Sequence, residues 1–313
     1  MRTDAVGPVD LAATVVAVPP LPLDDRFGIR VEEARKIVAR LEAGGIRTIL
    51  WGGNAQLQHW PVSRYDELLA MAEATAGTDT LVVPSLGPDF GKLQDQAAIL
   101  ARHRFPTAMA LPAPAHTTPE GVARALAEAA GRAGRPLVAY IRQRGYLDPD
   151  GLARLVAEGA VLAVKYGVAM PERGRDAHLD ALVAAIGAER ILSGSGELLA
   201  VPHLLEHGLA GFTSGCVCLA PRLSGAVLEA LRRGDRAALD RLLPPIRELE
   251  TLRERYGLVR VLHDAVRLAG IAETGPILPM LSNCEPELLP AIAAAARRLV
   301  EAEALLGELD RVA

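Results

Sequence analysis

Eight short apolar segments, each followed by a helical pattern, limit the possible folds of this chain more than any other feature. They recur within about 220 residues at intervals of roughly 20 to 33 residues, which is typical of repeated β/α units with buried parallel strands. Such units form an open sheet or a closed barrel, and eight of them favour the barrel. The predicted strands cover residues 12–18, 48–51, 80–83, 107–111, 136–140, 161–165, 190–192 and 210–213.

The pattern changes after residue 232, where no strand-like segment occurs. The sequence therefore predicts an α/β protein in which residues 10–232 form a (β/α)8 TIM barrel that carries the active site. Residues 233–313 are predicted to form a C-terminal bundle of three helices, over 235–255, 258–269 and 286–306. The barrel helices are predicted over residues 31–43, 63–76, 94–102, 119–133, 152–157, 176–186, 197–206 and 217–232.

Composition excludes several classes of function. Half of the residues are hydrophobic and 23% are charged, so the chain can bury a large core. The net charge is −4 and no basic block occurs, which argues against nucleic acid as a partner. The three cysteines fit a reducing compartment. Residues 1–10 contain no apolar core of signal-peptide length, and no apolar run approaches the length of a membrane span. We therefore expect a soluble, cytoplasmic protein.

One lysine stands at the end of a predicted buried strand. The chain has only three lysines, Lys36, Lys92 and Lys165, because nearly all of its basic residues are arginine. Lys165 follows the apolar run 161–164. A lysine that is partly desolvated in a pocket can act as a neutral amine nucleophile near pH 7, whereas an arginine cannot. The alternative is a lysine whose amine extends from the strand end to water.

The carboxyl ends of the strands of a barrel share one face, where active sites are found. Tyr140 and Lys165 end neighbouring predicted strands, so both side chains can point into the same mouth. A phenol beside an amine can move the protons that imine formation and carbon–carbon cleavage require. Gly52, Gly53 and Gly194 allow a small substrate to approach the backbone, and exposed amides there can hold a carboxylate. A packed aromatic residue and plain turns are the alternatives.

Together these segments resemble the dihydrodipicolinate synthase/N-acetylneuraminate lyase family of class I aldolases, over roughly residues 10 to 306. Residues 137–140 are similar to the family's fifth strand, which ends in a tyrosine. Residues 162–165 resemble its sixth strand, whose lysine forms a Schiff base with a 2-oxo acid. Residues 192–197 and 208–214 resemble its two glycine-rich segments at strands seven and eight.

The resemblance implies a lyase, aldolase or dehydratase acting on pyruvate or a substituted 2-oxo acid. Lys165 would form the imine and Tyr140 would act as general acid and base. The imine is itself the electron sink, so no cofactor and no metal are implied. The family usually forms tetramers, so a homo-oligomer, tetramer or dimer, is expected. The implied substrate-binding residues are Gly52, Gly53, Asn54, Arg144, Gly194, Glu197 and Thr213.

The chain departs from the family at several loops, and two of these departures bear directly on the chemistry. The family's second-strand loop carries hydroxyls that relay protons, whereas residues 52–56 here offer none, and Asn54 relays protons poorly. The family's tyrosine after strand four, contributed across a subunit interface, is missing from residues 112–114. These differences argue against a true dihydrodipicolinate synthase. They leave open a non-catalytic or regulatory relative that binds a 2-oxo acid without turnover.

Two further readings remain open. Glu197 matches a position that contacts sugar hydroxyls in the sialic acid lyases, and a surface helix cap is its alternative role. The segment 203–207 matches the His-x-x-Glu-His pattern of inverted zinc proteases, in which two histidines four residues apart share a zinc ion. No third ligand is evident downstream, so a pair of surface histidines is the other interpretation.

Overall fold

The computed structural model describes residues 1–113, 115–170 and 175–312, and the side chains as far as residue 307. Eight parallel strands pair in chain order and the last pairs with the first, which closes a barrel. The predicted TIM barrel is therefore confirmed. Pro114, part of the strand-four loop discussed above, lies outside the described residues. The strands are β1 (Val16–Ala17), β2 (Thr48–Trp51), β3 (Leu81–Leu86), β4 (Ala108–Ala110), β5 (Leu137–Ile141), β6 (Val161–Tyr166), β7 (Ile191–Ser193) and β8 (Gly211–Ser214).

Helices alternate with these strands and then continue alone. Two of them, over residues 31–43 and 119–133, have the predicted bounds. The helices are α1 (Pro8–Ala12), α2 (Val31–Ala43), α3 (Tyr65–Thr75), α4 (Phe90–Leu100), α5 (Pro119–Ala133), α6 (Pro149–Ala157), α7 (Ala177–Ile186), α8 (Gly196–His207), α9 (Pro221–Arg233), α10 (Arg236–Tyr256), α11 (Leu258–Leu268) and α12 (Leu289–Val312). None of the helices in the described part of the chain is long and apolar enough to cross a membrane.

The first strand is much shorter than the predicted segment 12–18. β1 contains only two residues, and α1 occupies the chain up to Ala12. A proline at the first helical position and the carboxylate of Asp10, which accepts the N–H of Gly7 at 2.7 Å, favour a helical turn there. Downstream, Pro19 and Pro20 have no N–H group with which to extend the strand.

The last three long helices cover part of the barrel's carboxyl face. Helices α10, α11 and α12 pack against one another, and α10 and α12 also pack against α9. Helix α11 packs against the 3-10 turn Gly53–Ala55, which follows β2, and α10 packs against α8. The C-terminal segment therefore reaches the strand ends on the side of β8, β1 and β2. The division of the chain into two domains at residue 232 stays a prediction.

Candidate active site

A cavity of about 390 Å³ opens at the carboxyl ends of the strands. Residues from the ends of β2, β5, β6, β7 and β8 line it, together with two residues of α10. Six of the nine predicted site residues border this cavity: Tyr140, Lys165, Gly53, Asn54, Gly194 and Thr213. The other three, Gly52, Arg144 and Glu197, do not.

Lys165 is buried in this cavity beside Tyr140. The two residues are partners in the pairing of β5 with β6, and the Lys165 Nζ lies 4.4 Å from the centroid of the tyrosine ring. Only 4% of Lys165 is exposed, so its amine does not extend to bulk water. Burial, together with the positive charges of Arg142 and Arg253, lowers the pKa of Lys165 to about 7. At neutral pH a large fraction of this amine is therefore an uncharged nucleophile.

The Tyr140 hydroxyl faces space rather than a protein partner, because it makes no hydrogen bond to any described residue. A Cβ atom built on Gly167 would lie 3.1 Å from the Tyr140 Oη and 3.3 Å from the Ser195 Oγ. The two hydroxyls therefore border the same space, and the absence of a side chain at Gly167 keeps it open. Burial raises the pKa of Tyr140, so the phenol stays protonated at neutral pH and can donate a proton.

The loop after β2 brings backbone amides to the cavity. The N–H groups of Gly53 and Asn54 begin the 3-10 turn and have no acceptor within it. The Asn54 Nδ2 donates to the Val18 carbonyl at 2.7 Å, which fixes this loop against the end of β1. Gly52 lies deeper, where a Cβ would be only 2.5 Å from the Leu50 Cδ2. Two of the three predicted residues of this loop therefore reach the cavity.

Gly194 serves the packing of two strand ends. A Cβ at this position would lie 2.7 Å from the backbone nitrogen of Gly167 and 2.8 Å from the carbonyl carbon of Tyr166. Any side chain would push the end of β6, which carries Lys165, away from β7. Gly194 thus permits a close approach of backbone to backbone, whereas the sequence pointed to a close approach of substrate.

Arg144, expected to bind the substrate carboxylate, is engaged elsewhere. Its Nη2 donates to the Asp176 Oδ2 and to the Ala169 carbonyl, both at 2.8 Å. Asp176 also accepts the Tyr166 hydroxyl at 2.9 Å and caps α7. The structure therefore places Arg144 in a structural ion pair behind β6. Arg142, two residues earlier, is the arginine of this segment that lines the cavity.

Glu197 is fully buried and lies neither at the cavity nor at the surface. Its Oε1 accepts hydrogen bonds from the Ser214 Oγ at 2.7 Å and the Ser224 Oγ at 2.6 Å. Burial, together with the negative charge of Glu250, raises its pKa. Glu197 therefore connects α8 to the end of β8 and to α9, away from the solvent and from the lining of the cavity.

Two cavity residues come from α10 and were missed by sequence reasoning: Glu250 and Arg253. They form a buried ion pair, and the Cys216 thiol also donates to the Glu250 carboxylate at 2.9 Å. The sequence did contain a signal for them. Helical spacing places Glu250 and Arg253 on the same buried stripe as the apolar residues Leu243 and Ile246. A charged pair within an apolar stripe indicates a site where charge is needed.

The histidine pair of the zinc hypothesis is buried rather than exposed. The His203 Nδ1 lies 2.9 Å from the Ser193 Oγ, and the His207 Nδ1 lies 2.8 Å from the Asp180 Oδ1. In the part of the chain that the structure describes, neither histidine belongs to a group of three side chains close enough to share a metal ion. The geometry therefore supplies no third zinc ligand.

One such group does occur among the described residues, formed by Glu197, Cys216 and Glu250. The Glu250 carboxylate in this group already accepts hydrogen bonds from Arg253 and from the Cys216 thiol. A guanidinium on the same carboxylate oxygen opposes a second positive charge at that point. We therefore interpret these three side chains as part of the buried hydrogen-bond network that holds Arg253 in place.

No protein-family model matches the chain, and no curated protein matches it in sequence. Solved structures do match. Dihydrodipicolinate synthase from Bacillus clausii superposes with a TM-score of 0.80 at 21% identity, over 94% of this chain and 98% of that one. The catalytic lysine mutant of sialic acid aldolase from Ruminococcus gnavus superposes with a TM-score of 0.79 at 16% identity, over 93% of this chain and 97% of that one. N-acetylneuraminate lyase from Aliivibrio salmonicida superposes with a TM-score of 0.76 at 17% identity, over 91% of this chain and 96% of that one.

The chain has the fold of these enzymes. The match includes nearly all of each solved chain, so the C-terminal helices are part of the shared architecture. Identities of 16 to 21% carry information about the fold alone. The activity must therefore be argued from the residues of the cavity.

Proposed function

We propose that this protein is a Schiff-base-forming lyase or aldolase of the class I type, acting on pyruvate or a substituted 2-oxo acid. The observation that carries the proposal is the buried Lys165 amine, whose pKa is lowered to about 7, beside the free hydroxyl of Tyr140. The similar structures add support, because they are synthases and aldolases of this fold and the Ruminococcus gnavus aldolase has a catalytic lysine.

The first step would be attack of the neutral Lys165 amine on the C2 carbonyl of the 2-oxo acid. The Gly53 and Asn54 amides would hold the C1 carboxylate. The resulting carbinolamine loses its hydroxyl as water after that oxygen accepts a proton, and an iminium remains. The iminium then takes up the electron pair of a C3–H or C3–C4 bond and becomes an enamine. Because the iminium accepts these electrons, this step needs no metal and no organic cofactor.

Tyr140 would transfer the protons of these steps, as donor to the departing oxygen and as acceptor during bond cleavage. The second-strand loop has no hydroxyl to assist it. Ser195, whose Oγ borders the same space over Gly167, is the hydroxyl best placed to take that part. The proposal thus assigns to the strand-seven segment a role that the resembling family assigns to strand two.

Borohydride trapping tests the proposed function directly. Reduction of the protein in the presence of pyruvate, and then of a panel of longer 2-oxo acids, is expected to leave a stable adduct on the peptide that contains Lys165. Peptide mass spectrometry locates it among the three lysines of the chain. If none of these 2-oxo acids yields an adduct on Lys165, the lyase proposal is wrong.

The pH dependence of trapping is a second prediction. Because the pKa of Lys165 is lowered to about 7, the neutral fraction of the amine rises from about one tenth at pH 6 to about nine tenths at pH 8. The initial rate of adduct formation at a fixed concentration of 2-oxo acid should follow this curve and level off above pH 8. A rate that keeps rising to pH 10 would indicate an amine with an ordinary pKa and contradict the prediction.

A relative that binds a 2-oxo acid without turnover remains the second candidate, and the missing hydroxyls of the second-strand loop favour it. It predicts an adduct on Lys165 but no chemistry at C3 of the bound acid. The homo-oligomer expected from the resemblance also stays a prediction, which sedimentation measurements can check.

A further inference from the structure

Arg253 brings a fixed positive charge from the C-terminal helices into the cavity of the barrel. Its Nε donates to the Leu258 carbonyl at 3.1 Å and its Nη1 pairs with Glu250, so two sides of the guanidinium are held. Only 5% of the residue is exposed. The Nη2 makes no hydrogen bond to any described residue. A rigid, buried donor without an acceptor is suited to a ligand carboxylate.

The end of β8 leaves room for this guanidinium. A Cβ built on Gly215 would lie 2.9 Å from the Arg253 Nη2 and 2.7 Å from the Leu262 Cδ2. Gly215 itself lines the cavity. The lack of a side chain at this position therefore allows α10 to place its arginine at the strand ends, next to the space that a substrate would occupy.

Arg142 supplies a second positive charge on the other side of Lys165. It follows the end of β5, whereas Arg253 lies against the residue after β8, and β6 with Lys165 stands between these strands in the barrel. Both guanidinium charges act on the Lys165 amine. Arg142 is exposed and makes no hydrogen bond or ion pair with the described residues. Two donors therefore face the cavity from two directions.

The charges of the cavity favour a particular substrate. Apart from two tyrosines, its titratable lining in the described structure consists of Lys165, Arg142, Arg253 and Glu250. Once Lys165 is an iminium, the protein presents three positive groups and one negative group, the Glu250 carboxylate, to the cavity. A substrate with a single carboxylate leaves one positive charge uncompensated in a partly buried site, whereas a substrate with two carboxylates leaves none.

We propose that the substrate is a 2-oxo acid with a second carboxylate at the far end of its chain, and that Arg253 binds this second group through Nη2. Arg142 adds the remaining compensating charge near the mouth. The inference rests on the proposed function and specifies its substrate class. It assigns the C-terminal helices a direct part in substrate selection.

The test compares two acids with the same five-carbon chain. 2-Oxoglutarate ends in a carboxylate and 2-oxopentanoate ends in a methyl group. The readout is the concentration of each acid that half-saturates borohydride trapping on Lys165. We expect 2-oxoglutarate to half-saturate the wild-type protein at a concentration about 10- to 100-fold lower, the effect of one charge-assisted hydrogen bond. The ratio of the two values cancels any change in the reactivity of Lys165.

Arg253→Gln is expected to bring this ratio close to one. Arg255→Gln is the matched control, because it removes the same charge from an exposed position of the same helix and should keep the ratio. Arg253→Gln leaves Glu250 buried without its guanidinium, so a double variant with Glu250→Gln is measured as well. A preference that survives in both Arg253 variants would overturn the role of Arg253.

The failure of this inference differs from the failure of the proposed function. Equal half-saturation by the two acids in the wild-type protein would overturn the second carboxylate and leave the Schiff base intact. No adduct with either acid, nor with pyruvate, would overturn both. A ratio near one in Arg255→Gln would mean that the helix contributes only its overall charge, which would also overturn the specific contact.

Discussion

Replacing Lys165 with methionine is expected to abolish adduct formation and also to make the protein more stable. Methionine has nearly the length of lysine and no amine, so trapping and any turnover should fall by at least about 1,000-fold. The stability gain follows from burial, because the folded protein holds the lysine at a pKa of about 7 instead of 10.5. The gap between the two pKa values corresponds to about 5 kcal/mol at most.

The sign of the pH effect follows from proton binding. Between pH 7 and pH 10.5 the unfolded chain keeps the Lys165 proton that the folded protein releases, so the wild-type stability rises with pH in this window. Below pH 7 both states are protonated and the full penalty of a buried ammonium is present. The advantage of Lys165→Met should therefore be largest below pH 7 and shrink as the pH rises toward 10.

Thermal unfolding of both proteins at pH 6.5 and pH 9.5 measures this effect. We expect the midpoint of Lys165→Met to exceed that of the wild type by several degrees at the lower pH and by less at the higher pH. Lys36→Met is the control, since Lys36 is exposed on α2 and its removal should preserve trapping. A Lys165→Met variant less stable than the wild type at pH 6.5 would show that the buried Lys165 ammonium does not destabilise the folded protein.

The barrel could be predicted because local patterns determine it. Buried parallel strands are short apolar runs, and eight of these recurred with helices between them, so the count alone favoured closure. The failures were local. The segment 12–18 has the composition of a strand, but only Val16–Ala17 forms one. The chain up to Ala12 belongs to α1, where a proline at the first helical position and Asp10 favour a helical turn. Short-range capping outweighed strand propensity there.

The candidate site could be predicted best at the strand ends and in the residues directly after them. Tyr140 and Lys165 sit at strand ends, and strand pairing places them side by side. Arg142 and Arg144 lie two residues apart in a loop, yet Arg142 lines the cavity and Arg144 pairs with Asp176. Local sequence does not distinguish the two positions. Arg253 comes from a helix packed on the barrel, and helical spacing does not say which strand end that helix meets.

Glu197 shows a further limit of reading a motif. Its position after the strand-seven glycines suggested either a substrate contact or a surface cap. The structure buries it completely with the hydroxyls of Ser214 and Ser224, which lie far along the chain. A carboxylate buried with such long-range partners has no signature in local sequence, because burial depends on how α8, β8 and α9 pack together.

Tyr140→Phe is expected to separate imine formation from the chemistry that follows it. Phenylalanine keeps the ring beneath the Lys165 amine and removes only the hydroxyl, which has no protein partner among the described residues. Exchange of the C3 protons of pyruvate in D2O, followed by proton NMR, reports enamine formation without knowledge of the second substrate. We expect exchange to fall about 100- to 10,000-fold, the usual contribution of a general acid–base group.

Trapping by borohydride after long incubation should persist in Tyr140→Phe, because the nucleophile is unchanged. Tyr146→Phe is the matched control, since its hydroxyl accepts the Ala113 N–H at 3.0 Å and is therefore tied to a loop. Exchange at the wild-type rate in Tyr140→Phe would remove the tyrosine from the mechanism and leave Ser195 as the candidate hydroxyl. A wild-type protein that forms the adduct but shows no exchange at all would instead be the 2-oxo-acid-binding relative, because an iminium that cannot lose a C3 proton has lost the step on which cleavage and condensation depend.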